Sequence, residues 1–394
     1  MVINASLFAA AANSAVPAVH HRRVGIVGGG QLARMMAEAA RNIGLTIVVL
    51  DPTPDCPARE FAEQIVGAFD DAEKLAELAA RTDVITLDIE AVSAAGLAAL
   101  EHMGRVVAPN AAVLGIIQDK LLQKEFLARH DLPTSPFRAL TGTTADLEAF
   151  GLPCVVKARR HGYDGRGVKV VKQIADVAEL LNAPCLVEAR VAIAKELAIM
   201  VARNWRGDVA LYPVVEAEFD QRANILDTIQ APACVPESVI NTCRALAERI
   251  VNKLDGVGIF GIEFFLTTNG QVLVNEISPR PHNSGHYTIE ACATSQFEQH
   301  LRAVTNMPLG PVALVRPAAS FNLLGEPSAF GSPRFAGLEV AARTPGAVVH
   351  LYGKHSVKPF RKMGHVTVTG ATLEHALSTA RSLKQVVKVM GSTP

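Results

Sequence analysis

The chain has 394 residues, 49% hydrophobic and 19% charged, which is enough to bury the cores of two or three domains. Its 38 basic and 38 acidic residues balance, which excludes an overall positive field for nucleic acid or an acidic membrane. No apolar run reaches the roughly 18 residues of a membrane span. Six scattered cysteines predict reduced thiols in the cytoplasm rather than a disulfide framework.

The first part of the chain predicts a flexible tail followed by a parallel α/β unit. Residues 1–21 are mostly small and apolar, without the basic start of an export signal, so we expect a frayed tail. Beyond them, short apolar runs alternate with an amphipathic helix over 31–44, a pattern typical of βαβ units. The predicted parallel strands are 24–27, 45–51, 83–90 and 105–110.

A glycine-rich turn connects the first predicted strand to the first helix. Gly28, Gly30 and Ala33 follow the spacing G-x-G-x-x-A, and Asp51 ends the next strand. This pattern is typical of a dinucleotide site, with Asp51 placed for the ribose of NAD. Two other interpretations remain open. The glycines could simply permit a tight turn, or the helix N-terminus could receive a substrate phosphate or ribose.

The middle of the chain predicts a phosphate-binding loop. Strands are predicted over 153–160, 168–171 and 185–191, and the loop 162–167 holds three glycines. Lys157 leaves a strand just before this loop, where an ammonium can meet phosphate and glycine amides can close over it. An ordinary hairpin loop is the alternative. Lys120, on a predicted helix, and Glu188, near the end of a strand, could equally be surface residues.

The segment GIFGIEFFLTTNGQVLVNEIS, residues 258–278, predicts a hairpin that carries two glutamates. Asn269-Gly270 is typical of a two-residue turn, which pairs Thr268 with Gln271 and Glu263 with Glu276. Like charges directly opposite each other destabilise a sheet, so either one carboxylate is protonated or a cation lies between them. Two carboxylates suit Mg²⁺, with Mn²⁺ as a substitute. A solvated edge hairpin is the alternative.

Taken together, the motifs resemble the ATP-grasp superfamily and, within it, the 5-(carboxyamino)imidazole ribonucleotide synthases of purine biosynthesis. They occur in family order over roughly 24–366 and are GIVGGGQLARMM, LDIEAV, QDKLLQK, HGYDGRG, GIEFFLTTNG, NEISPRPHNSGHYT, QFEQHLRAV and RKMGHV. The segment 212–226 departs from the family, because it is longer and lacks a histidine. The resemblance implies that the glycine-rich loop faces a ribonucleotide rather than NAD.

The resemblance implies an α/β ATP-grasp fold with an N-terminal Rossmann-like pre-ATP-grasp domain and a small C-terminal domain. We expect the pre-ATP-grasp domain over 22–115 and the ATP-grasp domain over 116–310, with a lid at about 135–188. The C-terminal domain would follow over 311–394. The family also implies a homodimer that takes small-molecule substrates and binds neither nucleic acid nor a membrane.

The same resemblance implies the nucleotide and metal residues. Those expected to bind ATP are Lys120, Lys157, Gly162, Tyr163, Asp164, Gly165, Arg166, Gly167, Val168, Glu188, Ala189, Arg190, Val191, Glu196, Asn275 and Glu276. Glu188 to Val191 would lie along the adenine, and Glu196 would meet the ribose. Glu263 and Glu276 would bind Mg²⁺.

Catalysis and recognition of the second substrate are implied in the same way. Arg280 would hold bicarbonate, although a structural ion pair is its alternative. Tyr163, Asp164 and Arg166 would close the lid, with Asp164 as a proton acceptor. The residues expected to bind the ribonucleotide are Gln31, Glu90, His282, Asn283, Lys354, Arg361 and Lys362.

The implied reaction joins ATP, bicarbonate and 5-aminoimidazole ribonucleotide to give ADP, phosphate and the N-carboxylated ribonucleotide, through carboxyphosphate. Three rival functions remain. A binding module without catalysis is one, although the presence of Glu263, Glu276 and Lys157 argues against it. The other two are enzymes. One is a neighbouring ATP-grasp ligase such as the formate-dependent glycinamide ribonucleotide transformylase. The more distant one is an NAD-dependent dehydrogenase.

Overall fold

The computed structural model describes most of the chain, in the ranges 23–140, 144–160, 162, 167–177, 183–220 and 225–392. The predicted tail 1–21 and the predicted lid residues Tyr163, Asp164, Gly165 and Arg166 lie outside these described residues. Within the described ranges, the structure contains no helix with the length and apolar character needed to cross a bilayer.

The N-terminal part is a five-stranded parallel sheet in the order β3-β2-β1-β4-β5. The strands are β1 (Arg23–Val27), β2 (Thr46–Asp51), β3 (Glu63–Val66), β4 (Val84–Leu87) and β5 (Val106–Val107). Four of them match predicted strands, and β3 was missed because its sequence, EQIV, buries only one residue. The strand order reverses between β1 and β4, and ligands bind beyond the carboxyl ends of the strands at such a point.

Four helices pack against this sheet, namely α1 (Gln31–Asn42), α2 (Ala72–Arg81), α3 (Ala94–His102) and α4 (Ala111–Gln118). Three of them begin at a capping side chain: Asp71, Ser93 and Asn110 each accept a hydrogen bond from a backbone amide of the first turn. Helix α1 begins instead directly at the glycine-rich turn. Its N-terminus therefore lies at the carboxyl end of β1.

A nine-stranded sheet forms the centre of the molecule. Its path is β15-β14-β10-β12-β13-β16-β19-β18, with β11 paired to β10. The strands are β10 (Ile193–Arg203), β11 (Val209–Leu211), β12 (Val215–Asp220), β13 (Ile225–Ala231), β14 (Gly258–Thr267), β15 (Val272–Ser278), β16 (Ala318–Leu324), β18 (Ala347–Leu351) and β19 (Lys362–Thr369). Because β13 pairs with β16, the sheet continues into the last section of the chain.

Helices cover this sheet and connect it to the other parts. They are α5 (Lys120–Arg129), α7 (Glu237–Leu254), α8 (Thr288–Ala291) and α9 (Gln296–Val304). The main core lies between α7 and the strands β10, β14 and β15, where Ile250, Phe260 and Phe264 are fully buried. The hairpin that carries Glu263 and Glu276 is therefore fixed on one face by dense apolar packing.

Two smaller sheets complete the described structure. A four-stranded sheet in the order β6-β9-β7-β8, with α6 (Thr144–Phe150), occupies the predicted lid region. Its strands are β6 (Phe137–Ala139), β7 (Cys154–Ala158), β8 (Val168–Val171) and β9 (Cys185–Ala189). Near the C-terminus, β17 (Pro333–Ala336) pairs with β20 (Lys388–Gly391), beside α10 (Leu338–Arg343) and α11 (Leu373–Val386).

One buried histidine joins the parallel sheet to the central sheet. His300 on α9 accepts a hydrogen bond at Nδ1 from the Ile259 amide (3.1 Å), and its Nε2 lies 2.7 Å from Thr86 Oγ1. Because Nδ1 accepts, the proton of the neutral ring is on Nε2, which donates to Thr86. Burial lowers the pKa of His300 to about 3. The ring therefore stays neutral in the folded protein.

We expect His300→Ala to lower the free energy of unfolding at pH 7 by about 1–3 kcal/mol, because two buried polar groups lose their partner. Below about pH 6.5 the unfolded histidine binds a proton that the folded one rejects, so wild-type stability falls by up to about 1.4 kcal/mol per pH unit from this residue alone. The variant should lose stability less steeply between about pH 6 and 4. Urea unfolding at several pH values measures both effects.

The exposed His375 provides the control, since His375→Ala removes a histidine without breaking a buried contact. A change at position 300 within about 0.5 kcal/mol of this control would show that the Thr86–His300–Ile259 connection does not stabilise the protein.

Candidate active site

The hairpin β14–β15 places the two glutamates opposite each other, as predicted. Glu263 pairs with Glu276 across the ladder. The predicted turn, however, is wrong. Thr267 rather than Thr268 pairs with Gln271, since its amide donates to the Gln271 carbonyl at 2.9 Å. The loop therefore has three residues, with Gly270 at φ +82, the left-handed conformation that such loops place on glycine.

A β-bulge restores the register that the longer turn would have lost. The pairing shifts by one residue between Glu263 and Phe264, so that Asn275 is an extra residue in β15. Bulges near functional sites re-aim side chains. Here Asn275 Nδ2 donates to Glu263 Oε2 at 3.2 Å, and Lys157 Nζ donates to Asn275 Oδ1 at 3.2 Å. The bulge thus brings consecutive residues of β15 to one site.

The two carboxylates have opposite electrostatic environments. Burial raises the pKa of the Glu263 carboxyl to about 7, and the nearby Glu276 and Glu196 add to the rise. Burial would also raise the pKa of Glu276, but the hydrogen-bonded Lys120 ammonium holds it below its usual value. Near neutral pH the Glu263 carboxyl is therefore only partly ionised. A cation bound between Glu263 and Glu276 would favour the ionised form of Glu263.

The residues present fit a divalent cation. The Glu263 and Glu276 side chains keep 24% and 39% of their surface exposed, so neither side chain is closed off from solvent. The described residues contain no group of three or more His, Cys, Asp or Glu arranged around a common centre. Mg²⁺ is usually held by one or two carboxylates together with phosphate oxygens and water, so two glutamates are a sufficient protein contribution.

Lys120 is held in the site rather than on the surface. Its side chain is only 12% exposed and pairs with Glu276. Asp119 caps α5 through the Leu121 amide at 3.0 Å and forms an ion pair with Arg159 at 2.6 Å. The Lys120 amide also donates to the Arg159 carbonyl at 2.9 Å. These contacts hold the start of α5 against the end of β7 and therefore fix the backbone position of Lys120.

The predicted nucleotide residues of the four-stranded sheet and of β10 also lie near the acidic pair. Lys157 Nζ lies 2.9 Å from Glu188 Oε1, and only 3% of the Glu188 side chain is exposed. Glu196, on β10, has its pKa raised to about 7 by burial, partly offset by Lys157. Val168 pairs with Lys157, and the neighbouring Gly167 carbonyl accepts from the Ala158 amide at 2.7 Å. Gly162 is described only as an isolated residue within the loop.

A second group of predicted residues follows the β15 strand. Arg280 Nη2 lies 2.8 Å from the carboxylate of Glu90, which follows β4 of the parallel sheet. His282 Nε2 lies 3.7 Å from Glu263 Oε1, and His282 Nδ1 is 2.9 Å from Ser284 Oγ. Asn283 begins the short 3₁₀ turn that follows. The structure thus brings Glu90 and Arg280 together and places His282 beside the acidic pair.

Two of the three predicted basic residues of the last section, Lys354 and Lys362, are connected to the N-terminus of α1. Lys354 Nζ donates to Gln31 Oε1 and to the Lys362 carbonyl, both at 2.7 Å. Arg361 instead turns to its own loop, where Nη1 donates to the Ser356 carbonyl at 2.8 Å and to Ser356 Oγ at 2.7 Å. Lys354, Lys362 and Gln31 therefore form one group that joins the first and last sections of the chain.

The glycine-rich turn is already bonded to two aspartates. The Gly29 amide donates to Asp51 Oδ2 at 2.8 Å, and the Gly30 and Ala33 amides donate to Asp88 at 2.8 and 2.9 Å. Asp88 was missed by the sequence analysis, although its place directly after β4, two residues before Glu90, was a usable signal. A pyrophosphate or a phosphate could reach these amides only by displacing carboxylates, which argues against the dinucleotide interpretation.

Fold and site together define an ATP-grasp enzyme, in which the four-stranded sheet and the central sheet place lysines around a pair of acidic residues. Three family models match the chain. They are the ribonucleotide synthetase preATP-grasp domain over 21–118, the ATP-grasp domain over 125–297 and the phosphoribosylaminoimidazole carboxylase C-terminal domain over 318–379. More narrowly, the chain belongs to the N5-carboxyaminoimidazole ribonucleotide synthase family.

Similar proteins of known sequence and structure support this family assignment. The N5-carboxyaminoimidazole ribonucleotide synthase of Synechococcus elongatus is 40% identical over 96% of this chain and 98% of its own length. The crystal structure of the N5-carboxyaminoimidazole ribonucleotide synthetase from Thermotoga maritima is 45% identical, with a TM-score of 0.87 over 94% of this chain and 100% of that one. An Aspergillus clavatus synthase in complex with ADP and 5-aminoimidazole ribonucleotide is 33% identical, with a TM-score of 0.85 over 93% and 99%.

Some relatives are longer. The phosphoribosylaminoimidazole carboxylase of Ogataea methanolica is 40% identical over 89% of this chain, which spans 67% of that protein.

Proposed function

We propose that the chain carboxylates 5-aminoimidazole ribonucleotide with ATP and bicarbonate, giving 5-(carboxyamino)imidazole ribonucleotide, ADP and phosphate in purine biosynthesis. The observation that carries the proposal is the arrangement around the Glu263–Glu276 pair. Lys120 pairs with Glu276, Lys157 is connected to Glu263 through Asn275, and His282 lies 3.7 Å from Glu263. This arrangement supports phosphoryl transfer beside a second substrate. Positioning and charge neutralisation are the main requirements of that chemistry.

The nucleotide would lie between the lid sheet and the central sheet. Lys120 and Lys157 would bind its phosphates, and Gly162, Gly167 and Val168 would line the loop that covers them. Glu188, Ala189, Arg190 and Val191 would follow the adenine, and Glu196 would accept from the ribose. Glu263 and Glu276, with Asn275 beside them, would hold Mg²⁺ or Mn²⁺. When bound, the ion would neutralise negative charge on the phosphates.

Bicarbonate needs activation because its carbon is a poor electrophile. An oxygen of bicarbonate attacks the γ-phosphorus of ATP, and the bond from that phosphorus to the bridging oxygen of ADP breaks, which gives carboxyphosphate. Loss of phosphate then releases carbon dioxide beside the amine. The amine nitrogen forms the new N–C bond and gives up a proton. Arg280, oriented by Glu90 at 2.8 Å, would hold the bicarbonate anion before transfer.

The ribonucleotide would lie across the first and last sections of the chain. Its phosphate would meet Lys354, Arg361 and Lys362, opposite Gln31. Glu90, His282 and Asn283 would orient the imidazole ring near the bicarbonate. Carboxyphosphate hydrolyses in water, so the site must exclude solvent during turnover. Tyr163, Asp164 and Arg166 would serve this closure, with Asp164 as the acceptor of the amine proton.

Three finer properties belong to the same proposal. We place the working boundaries of the three domains near 22–115, 116–310 and 311–394, consistent with the ranges of the three family models. A cytoplasmic location is supported by six cysteines that all carry free thiols. A homodimer is proposed from the family resemblance, and light scattering of the purified protein tests it.

The function is tested by ADP release with purified protein, ATP and Mg²⁺. We expect release to need both bicarbonate and 5-aminoimidazole ribonucleotide for full rate, and the product to carry one carboxyl group by mass. Replacing bicarbonate with formate, and 5-aminoimidazole ribonucleotide with glycinamide ribonucleotide, should give no turnover. Turnover with the formate pair would instead indicate the transformylase. ADP release that is indifferent to 5-aminoimidazole ribonucleotide would contradict the proposal.

A further inference from the structure

A second buried lysine lies behind the proposed ATP site. Lys124, one helical turn after Lys120, has only 3% of its side chain exposed. Its Nζ lies 3.3 Å from Glu188 Oε2, donates to Thr134 Oγ1 at 2.6 Å and lies 3.4 Å from the Val274 carbonyl. An ammonium this deeply buried is stabilised only by partners such as these. The assigned roles at the site leave Lys124 without one.

Glu188 is shared between two ammonium groups. Its Oε2 faces Lys124 at 3.3 Å and accepts from Ser135 Oγ at 3.2 Å, whereas its Oε1 lies 2.9 Å from Lys157. Although burial would raise it, the pKa of Glu188 is lowered, by Lys124 first and then by Lys157. One carboxylate with one oxygen toward each lysine fixes the position of both.

These contacts extend into the metal and phosphate region. Lys157, held by Glu188 on one side, donates to Asn275 at 3.2 Å on the other, and Asn275 donates to Glu263 at 3.2 Å. A continuous chain of polar contacts therefore runs from Lys124 through Glu188, Lys157 and Asn275 to Glu263. A change at Lys124 can reach the site along this chain without Lys124 touching any substrate.

We propose that Lys124 is a positioning residue for ATP binding, acting through Glu188 on Lys157. The proposal rests on the proposed function in one respect, namely that Lys157 binds nucleotide phosphate. Because Glu188 is shared with Lys124, its carboxylate neutralises Lys157 only in part, which leaves the Lys157 ammonium available to an incoming phosphate. Without Lys124, the Lys157–Glu188 pair is neutral, and Glu188 holds Lys157 with its full charge. The Lys157 ammonium would then attract the phosphates of a nucleotide less strongly, and the nucleotide would bind more weakly.

The direct test is Lys124→Met, which keeps the apolar stem and removes the charge. We expect the Kd for ADP by calorimetry and the KM for ATP to rise by at least about tenfold, with the KM for 5-aminoimidazole ribonucleotide within about twofold of wild type. A purely structural role would lower thermal stability and leave the ADP Kd of the folded protein unchanged. Arg203→Met is the control, since it removes a cation paired with Asp255 at 2.5 Å, away from this chain of contacts.

Glu188→Gln and the double variant show whether Lys124 acts through Glu188. In the double variant Lys157 is no longer neutralised, so Lys124→Met/Glu188→Gln should bind ADP more tightly than Lys124→Met. It should also bind ADP within about twofold of Glu188→Gln alone, because the route from Lys124 is already cut. This second comparison remains decisive even if Lys124→Met does not fold, since removing both members of a buried pair is tolerated better than removing one.

Two outcomes would overturn the proposal. One is an ADP Kd for Lys124→Met within about twofold of wild type. The other is a further loss of about tenfold on adding Lys124→Met to Glu188→Gln, which would mean that Lys124 acts by another route. The Kd for ADP is measured in the absence of 5-aminoimidazole ribonucleotide, so it does not depend on the carboxylation reaction. Failure of the carboxylation assay in the wild-type protein would therefore overturn the proposed function and leave this test intact.

Discussion

Replacing Glu276 with glutamine is expected to lower the kcat for ATP turnover by at least about a hundredfold, the scale on which removal of a group that stabilises transition-state charge is felt. The substitution keeps the shape of the side chain but removes the charge that faces Glu263 and pairs with Lys120. A divalent cation would lose one of two protein ligands, and Lys120 would lose its partner. ADP release at saturating ATP, bicarbonate and 5-aminoimidazole ribonucleotide measures the loss.

The same variant should also need more Mg²⁺ for half-maximal activity, a response that a merely unfolded protein would not show. Glu298→Gln is a suitable control, because Glu298 pairs with Arg302 at 2.7 Å on helix α9 and has no role in the site. Glu263→Gln should behave like Glu276→Gln. Activity of the Glu276 variant within about tenfold of wild type, with an unchanged Mg²⁺ requirement, would contradict the assignment of these residues to the metal.

The β14–β15 hairpin shows which features could be predicted from the sequence and which could not. The apolar pattern and the Asn269-Gly270 signal predicted the strands and the facing glutamates, and both are confirmed. The turn was wrong by one residue, and the bulge at Asn275 compensated. Neither could be predicted, because the sequence gives no local signal for a three-residue loop with a bulge over a two-residue loop without one. Only the packing of both strands decides between them.

The glycine-rich turn shows the opposite case, in which a correct pattern suggested the wrong ligand. The spacing of Gly28, Gly30 and Ala33 did predict a strand-turn-helix unit, which the structure contains. What the pattern could not reveal is that Asp88, 58 residues beyond Gly30, bonds the helix amides that a pyrophosphate would need. Long-range partners of this kind depend on strand order. For the same reason, the contact of Lys124 with Glu188 could not be seen in the sequence.

The ribonucleotide site leads to the second large effect, at Lys354. This lysine lies in the loop between β18 and β19 and donates to Gln31 at the start of α1 and to the Lys362 carbonyl. If the ribonucleotide phosphate binds here, Lys354→Met removes one ammonium and the connection to Gln31 together. We expect the KM for 5-aminoimidazole ribonucleotide to rise by about ten- to a hundredfold, corresponding to the roughly 1.4–2.8 kcal/mol of one lost charge-assisted contact.

The KM for ATP should remain within about twofold of wild type, because Lys354 donates to Gln31 and to the Lys362 carbonyl, whereas Lys120 pairs with Glu276 and Lys157 donates to Asn275. Lys358→Met is the matched control, since it removes an exposed lysine from the same loop. A rise in the KM for ATP alone would place the nucleotide, rather than the ribonucleotide, at this group. Initial rates with each substrate varied in turn separate the two outcomes, because they give the two KM values independently. Substitution of Lys354 should raise the KM for 5-aminoimidazole ribonucleotide, whereas substitution of Lys120 or Lys157 should raise the KM for ATP.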